Sequence, residues 1–301
     1  MRKAIPLVLI LTLVWGTNWP LFPIAVREVS VWTFRAFSLV GAGLALLALA
    51  RARGESLRIP RAHWGTVLAA SLAYLVVWNV ASTYAAVLIP SGQAAILGFT
   101  MPLWAALIAW AFLNHRPGAR VLAALAIGGL GVVLLIVDGV DAYAKAPLGF
   151  ALGLLAGLGW AVGTVILKSR PTPVSPLVLT GWQLLVAAVP IAIGAVTFGS
   201  GEWFMPSTTT LLVIGYITLV PMAIGNAAWF AIVGLLPANI AGLSAVMVPV
   251  VAMVSGALVH GEPLGPVQWV SMVCCALGVG LALLRPSGAP DKRALVEPAK
   301  K

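Results

Sequence analysis

The stretch "NVASTYAAVLIPSGQAAILGFTMPLW", residues 79–104, returns as "NAAWFAIVGLLPANIAGLSAVMVPVV" at 226–251. Without gaps, at an offset of 147, Asn79 falls on Asn226, Pro90 on Pro237 and Pro102 on Pro249. Ala81, Leu88 and Ala94 fall on Ala228, Leu235 and Ala241. The same offset carries Gly118 onto Gly265 and Gly131 onto Gly278, and an offset of 145 carries Trp15 onto Trp160 and Ser30 onto Ser175. Matches among Ala, Leu and Gly come easily by chance; two prolines and an asparagine in register do not. The chain therefore reads as a duplication, 1–141 and 142–285, followed by a polar tail at 286–301.

Composition says what was duplicated. Of 301 residues, 61% are hydrophobic and 9% charged, whereas soluble domains average about 25% charged. Mean hydropathy is +1.05, and apolar runs of the roughly 18 residues needed to cross a bilayer recur throughout. Polar breaks divide the chain into ten candidate spans. The first five lie near 4–25, 31–50, 64–87, 91–113 and 119–138, the second five near 147–168, 176–198, 208–232, 238–259 and 266–285. The expected fold is an all-α polytopic membrane protein. Five spans per half is an odd number, so the second half enters the membrane upside down. Ten transmembrane helices in two five-helix inverted-topology repeats is the architecture of many secondary transporters.

Charge sets the orientation. The net charge of +10 fits cytoplasmic loops, where Lys and Arg accumulate, better than a nucleic-acid partner. With the N-terminus inside, fifteen of the basic residues fall on one face and only Arg27 and Lys145 on the other. Both termini are therefore expected in the cytoplasm. The first apolar run continues through Trp15 to Ala25 without a small-residue cleavage pattern and reads as an uncleaved span. Small size and no targeting segment point to a bacterial inner (plasma) membrane. The tail "PSGAPDKRALVEPAKK" reads as disordered on the cytoplasmic side.

The prolines locate a candidate site. A proline inside a helix costs about 3 kcal/mol, and lipid offers no hydrogen bond to a freed carbonyl. Pro90 and Pro237 precede spans four and nine, where a proline is cheap. Pro102 and Pro249 fall near mid-span in both halves. Paired interruptions of this kind mark binding sites in inverted repeats, so both are expected to break helices or act in gating.

Ionisable groups are scarce within the spans. Arg35 is the exception and carries two readings: a side chain that snorkels or binds a helix end, or a contact for a solute carboxylate. None of the eight acids lies deep in a span, so proton coupling through a buried carboxylate is not supported. Three scattered histidines form no cluster of the kind catalysis needs. No catalytic residue, metal site or cofactor is expected, and Cys274 and Cys275 read as small packing residues. Neutral groups remain. Asn79, Asn226 and Asn18 are either interhelical hydrogen-bonding groups or cavity lining. Trp15, Trp78, Trp160 and Trp229 either pack or wall a cavity suited to a flat apolar solute. Gly98, Met101 and Ser244, on the two proline-bearing spans, complete the candidate cavity.

Taken together, the sequence resembles the EamA-type transporters of the drug/metabolite transporter superfamily over about 4–285. The resemblance rests on "WGTNWP" at 15–20, the arginine of "TFRAF" at 33–37, the proline-bearing fourth and ninth spans, and "GEPLGPVQWVSMVCCALGVGLALL" at 261–284. Within that family the chain is most similar to YddG-type aromatic amino-acid exporters. The resemblance implies export or facilitated passage of small metabolites, commonly amino acids. The halves would rock by alternating access around a cavity lined by spans three, four, eight and nine, with help from one and six. The implied partners are a small-molecule solute and the lipid bilayer, with no nucleic acid and a monomer as the working unit. A channel-like pore, or transport of another metabolite or drug class, is the alternative.

Overall fold

The computed structural model describes residues 4–113, 118–199, 205–235, 247–262 and 264–283. Every regular element among them is helical. In chain order these are α1 (Pro6–Ala25), α2 (Val31–Ala52) and α3 (Arg61–Leu88), then α4 (Ser91–Gly98), α5 (Met101–Leu113), α6 (Ala119–Asp138) and α7 (Val140–Lys145). They continue with α8 (Pro147–Ser169), α9 (Pro176–Phe198), α10 (Thr208–Trp229), α11 (Val248–His260) and α12 (Pro266–Leu283). Six of them, α1 to α3 and α8 to α10, are long and apolar enough to cross a membrane. The tail at 286–301, Ser244 and Pro237 lie outside the described residues.

The fourth candidate span is not one helix. α4 ends at Gly98 and α5 begins at Met101, with Phe99 and Thr100 between them. Thr100 bridges the break: its hydroxyl donates to the Leu97 carbonyl at 2.6 Å, and its own carbonyl accepts from Leu103 N–H at 2.9 Å. Pro102 thus sits in the first turn of a new helix, where its missing N–H had no partner to lose. Pro249 holds the equivalent place in α11, one residue past Val248 at the helix start. The interruption spares Pro102 the mid-helix cost that an unbroken span would impose.

A second interruption repeats across the chain. α3 contains a π-helical segment at Ser71–Val76 and α10 contains one at Thr218–Gly225, their first residues 147 apart. A π turn widens the backbone ladder, and such turns cluster at functional positions. Just beyond each lies one of the paired asparagines. Asn79 Nδ2 donates to the Leu75 carbonyl at 2.8 Å and Asn226 Nδ2 to the Met222 carbonyl at 2.7 Å. Each amide reaches one turn back and satisfies a carbonyl within the widened segment.

The packing follows the duplication. α2 lies along α9, α6 along α12 and α4 against α11, while α3 packs on α8 and α1 on α10. Of these, α2 with α9 and α6 with α12 join segments related by the offset, whereas the α3–α8 and α1–α10 contacts answer one another across it. Ser30 and Ser175 cap α2 and α9 alike, accepting from Thr33 N–H at 3.0 Å and Val178 N–H at 3.3 Å.

Carboxylates tie distant segments together at helix starts. Glu28 accepts from Ser207 N–H at 2.7 Å and from the Ser207 hydroxyl at 2.6 Å, ahead of α10. Glu262 accepts from Ser91 N–H at 2.8 Å, the Ser91 hydroxyl at 2.7 Å and Gly92 N–H at 3.1 Å, at the start of α4. The Ser175 hydroxyl donates to Glu55 ahead of α9. Free N–H groups and the helix dipole make each of these positions favourable for an anion.

Candidate functional site

Five of these helices and the α4–α5 break converge on one small cavity. α1 supplies Trp15, Asn18, Trp19 and Phe22 to its lining, and α2 supplies Arg35. Leu75, Trp78 and Asn79 come from α3, Phe99 from the break between α4 and α5, and Trp160 from α8. Pro221, Met222 and Asn226 come from α10. The two π-helical segments thus open onto the same space from opposite halves.

The walls are aromatic and closely set. Trp160 meets Trp78 edge-on at 4.8 Å between ring centroids and Trp15 edge-on at 5.6 Å. Trp19 meets Trp78 at 5.9 Å. Gly98 ends α4 beneath these rings, and a Cβ there would lie 3.2 Å from both Trp19 and Trp78. The cavity measures about 30 Å³. A single water needs about 10–15 Å³, whereas pockets that hold drug-sized ligands run to roughly 300–1,000 Å³. The site is contracted around its own side chains, and admitting an organic solute requires the rings to withdraw.

Four buried polar atoms on the lining have no hydrogen-bond partner: Asn18 Oδ1, Arg35 Nη2, Asn79 Oδ1 and Trp160 Nε1. Leaving a buried polar atom unpaired costs about 1–3 kcal/mol, and native proteins keep few such atoms. Two of these are acceptors and two are donors, one of them on a cation. A solute that offers both donors and acceptors beside an apolar ring would satisfy all four.

The sequence and the cavity agree in part. Trp15, Asn18, Trp78, Asn79, Trp160 and Asn226, named from sequence, line it together. Trp229 is buried behind them, 5.7 Å from Trp15 and 6.2 Å from Trp160 between ring centroids. Met101 is buried without lining the cavity, and Gly98 supports the rings from below. Pro102 and Pro249 shape the helix starts nearby but do not line the space. α11 gives no lining side chain among the described residues, so the contribution expected from the ninth span is absent there. α1 contributes more than expected. Sequence reasoning left Phe22, Leu75, Phe99, Pro221 and Met222 unnamed; of these only Pro221, a proline within an apolar run, carried a visible signal.

A sequence profile described as the EamA-like transporter family matches residues 2–137 and again residues 147–284. The chain belongs to the EamA-like transporter family. It is an integral membrane protein of a family of transporters. The uncharacterized transporter YvbV of Bacillus subtilis (strain 168) is 24% identical over 257 residues, covering 84% of this chain and 83% of that one. The uncharacterized inner membrane transporter YedA of Escherichia coli (strain K12) is 26% identical over 94% of this chain and 92% of its own length. A probable amino-acid metabolite efflux pump of the same strain is 27% identical over 63% of this chain and 66% of its own. One solved crystal structure superposes with a TM-score of 0.73 at 20% identity, covering 94% of this chain and 97% of that one. That likeness carries the EamA-like fold. Among the described residues, no group of three or more His, Cys, Asp or Glu could hold a metal ion.

Proposed function

We propose that this EamA-like transporter is a secondary carrier of small metabolites, amino acids with aromatic side chains foremost. It works by alternating access of two inverted five-helix repeats, 1–141 and 142–285, around the central cavity. The observation that carries this reading is the set of unpartnered donors and acceptors on residues that line an aromatic enclosure. Amide oxygens suit an ammonium group, a guanidinium suits a carboxylate, and indole edges and faces suit a flat ring. One relative's name, probable amino-acid metabolite efflux pump, agrees with that chemistry.

In this reading α4 and α5 together make the fourth of ten crossings, and both termini face the cytoplasm of a bacterial inner membrane. The cross-chain contacts support the alternation. Glu28 with Ser207 and Glu262 with Ser91 join segments assigned to the outer face. Glu55 with Ser175, and Arg120 Nε with the Leu281 carbonyl at 2.7 Å, join segments assigned to the inner face. The contracted cavity represents a closed stage of the cycle. The π-helical segments and the α4–α5 break are the positions where helices bend as one mouth opens. The monomer contains the complete cavity and is the working unit.

Counterflow in proteoliposomes tests the proposal, against Trp, Phe, Tyr, Met and Thr, with and without a pH gradient. Saturable uptake that a trans gradient of the same solute accelerates is the expected result. Non-saturating flux without counterflow would make the protein a pore instead.

A further inference from the structure

Resting on that reading of the cavity, we propose that Arg35 is its specificity-determining residue and selects solutes that carry a carboxylate. The side chain is only 1% exposed, although it stands one turn into α2. It therefore does not snorkel to the membrane surface. Its guanidinium carbon lies 4.1 Å from the centroid of Phe22 and 4.7 Å from that of Phe34. Its Nε donates to the Thr83 hydroxyl at 2.6 Å, and that hydroxyl donates to the Asn79 carbonyl at 2.6 Å. Two rings and a threonine thus fix the plane of the guanidinium. Nη2 is left on a lining residue with no partner.

Arginine stays protonated in proteins, and a buried cation is costly unless a counter-charge or hydrogen bonds offset it. The two aromatic faces offset part of that cost. No acid lies deep in any span to supply the rest. A solute carboxylate brings the missing negative charge and can accept from Nη2. The amide oxygens of Asn18 and Asn79 then meet the solute's amine. The two ends are unequal. The guanidinium–carboxylate contact pairs opposite charges, whereas the amides offer only neutral acceptors. Loss of the carboxylate therefore costs more than loss of the amine, and a solute left with only a positive charge is repelled.

Tryptophan counterflow by the full-length protein in proteoliposomes tests this, with two competitors. Tryptamine lacks the carboxylate and indole-3-propionate lacks the amine. The expected result is that indole-3-propionate competes within about tenfold of tryptophan and tryptamine at least about 100-fold more weakly, a gap of about 2.8 kcal/mol. In Arg35→Gln that preference disappears and tryptophan KM rises at least about tenfold, by loss of a charge-assisted contact. Arg35→Lys, which keeps the charge, retains part of the preference and covers the case in which Arg35→Gln fails to fold. Tryptamine competing as well as the acid in the native protein overturns the proposal, as does a folded Arg35→Gln with unchanged preference. Either result leaves tryptophan transport standing. No flux of any indole solute overturns both the proposed function and the role of Arg35.

Discussion

The indole Nε1 of Trp15 donates to the Pro221 carbonyl at 3.0 Å, joining the first span to the π-helical segment of α10. Gly225 makes that approach possible, since a Cβ at this position would lie 2.3 Å from Nε1. Trp160, the counterpart of Trp15, leaves its own Nε1 unpartnered. One indole N–H is therefore anchored to the wall while the other is buried and unpaired. Gly225→Ala should displace the anchored ring, at about 1–3 kcal/mol for overpacking. A lowered unfolding temperature and slowed tryptophan counterflow are expected. The control is Gly215→Ala in the same helix, where no atom lies within 4 Å of the added Cβ. It should leave transport unchanged and, through helix propensity, hold or slightly raise stability.

The paired asparagines should differ in transport. Both amides donate to a carbonyl one turn back, and the Oδ1 of Asn79 is in addition buried without a partner. Asn79→Ala should raise the KM for tryptophan about tenfold, the equivalent of one lost hydrogen bond of about 1.4 kcal/mol. Asn226→Ala should change it less, and the double variant should lose transport while remaining folded by size-exclusion chromatography. Unchanged counterflow in the double variant would remove the amides from the site.

Glu262 should matter for stability through α4. This helix spans only Ser91–Gly98, and the carboxylate occupies the two N–H groups and the hydroxyl at its start. Gly256 leaves room for it, since a Cβ there would lie 2.5 Å from Glu262 Oε2. Glu262→Ala is expected to cost about 1–3 kcal/mol, and Gly256→Ala should mimic it by pushing the carboxylate away. Glu262→Gln keeps one acceptor and should fall between native and Glu262→Ala in a thermal melt.

Acid should loosen the join between Glu28 and Ser207. The hydrogen bonds from the Ser207 hydroxyl and N–H favour the carboxylate and hold its pKa below the ordinary value. A pKa lowered by folding contributes stability above the unfolded-state value, and that contribution is lost as pH falls through the folded-state value. The native protein should therefore lose its advantage over Glu28→Gln as pH drops below the usual carboxylate range. Paired melts across that range would show the two curves converge; parallel curves would mean that the contact carries no linkage.

Much of the helical fold was legible from the apolar runs and the spacing of prolines and asparagines alone. Prolines and asparagines in register exposed the duplication, because few residues substitute where a helix must break or a buried amide must find a partner. Tryptophans and asparagines within the apolar runs named six of the cavity residues. It did not reveal that the break falls at Phe99–Thr100, ahead of Pro102, nor that α3 and α10 widen into π turns at Ser71 and Thr218. Hydrogen-bond register in a continuous apolar helix leaves no mark in composition.

Apolar runs in the sequence were enough to determine a helical membrane protein. Water and lipid reject opposite kinds of residue, and that partition is written along the chain. Which face of each helix turns inward was decided only by the tertiary structure. Trp110 is 52% exposed and Trp160 only 4%, although both sit in runs of similar composition. Lipid is as apolar as a packed interior, so membrane helices lack the polar stripe that orients a soluble one. Arg35 shows the same limit. Its position marked an unusual residue, but only Phe22, Phe34 and Thr83, folded around it from three helices, turned it toward the cavity.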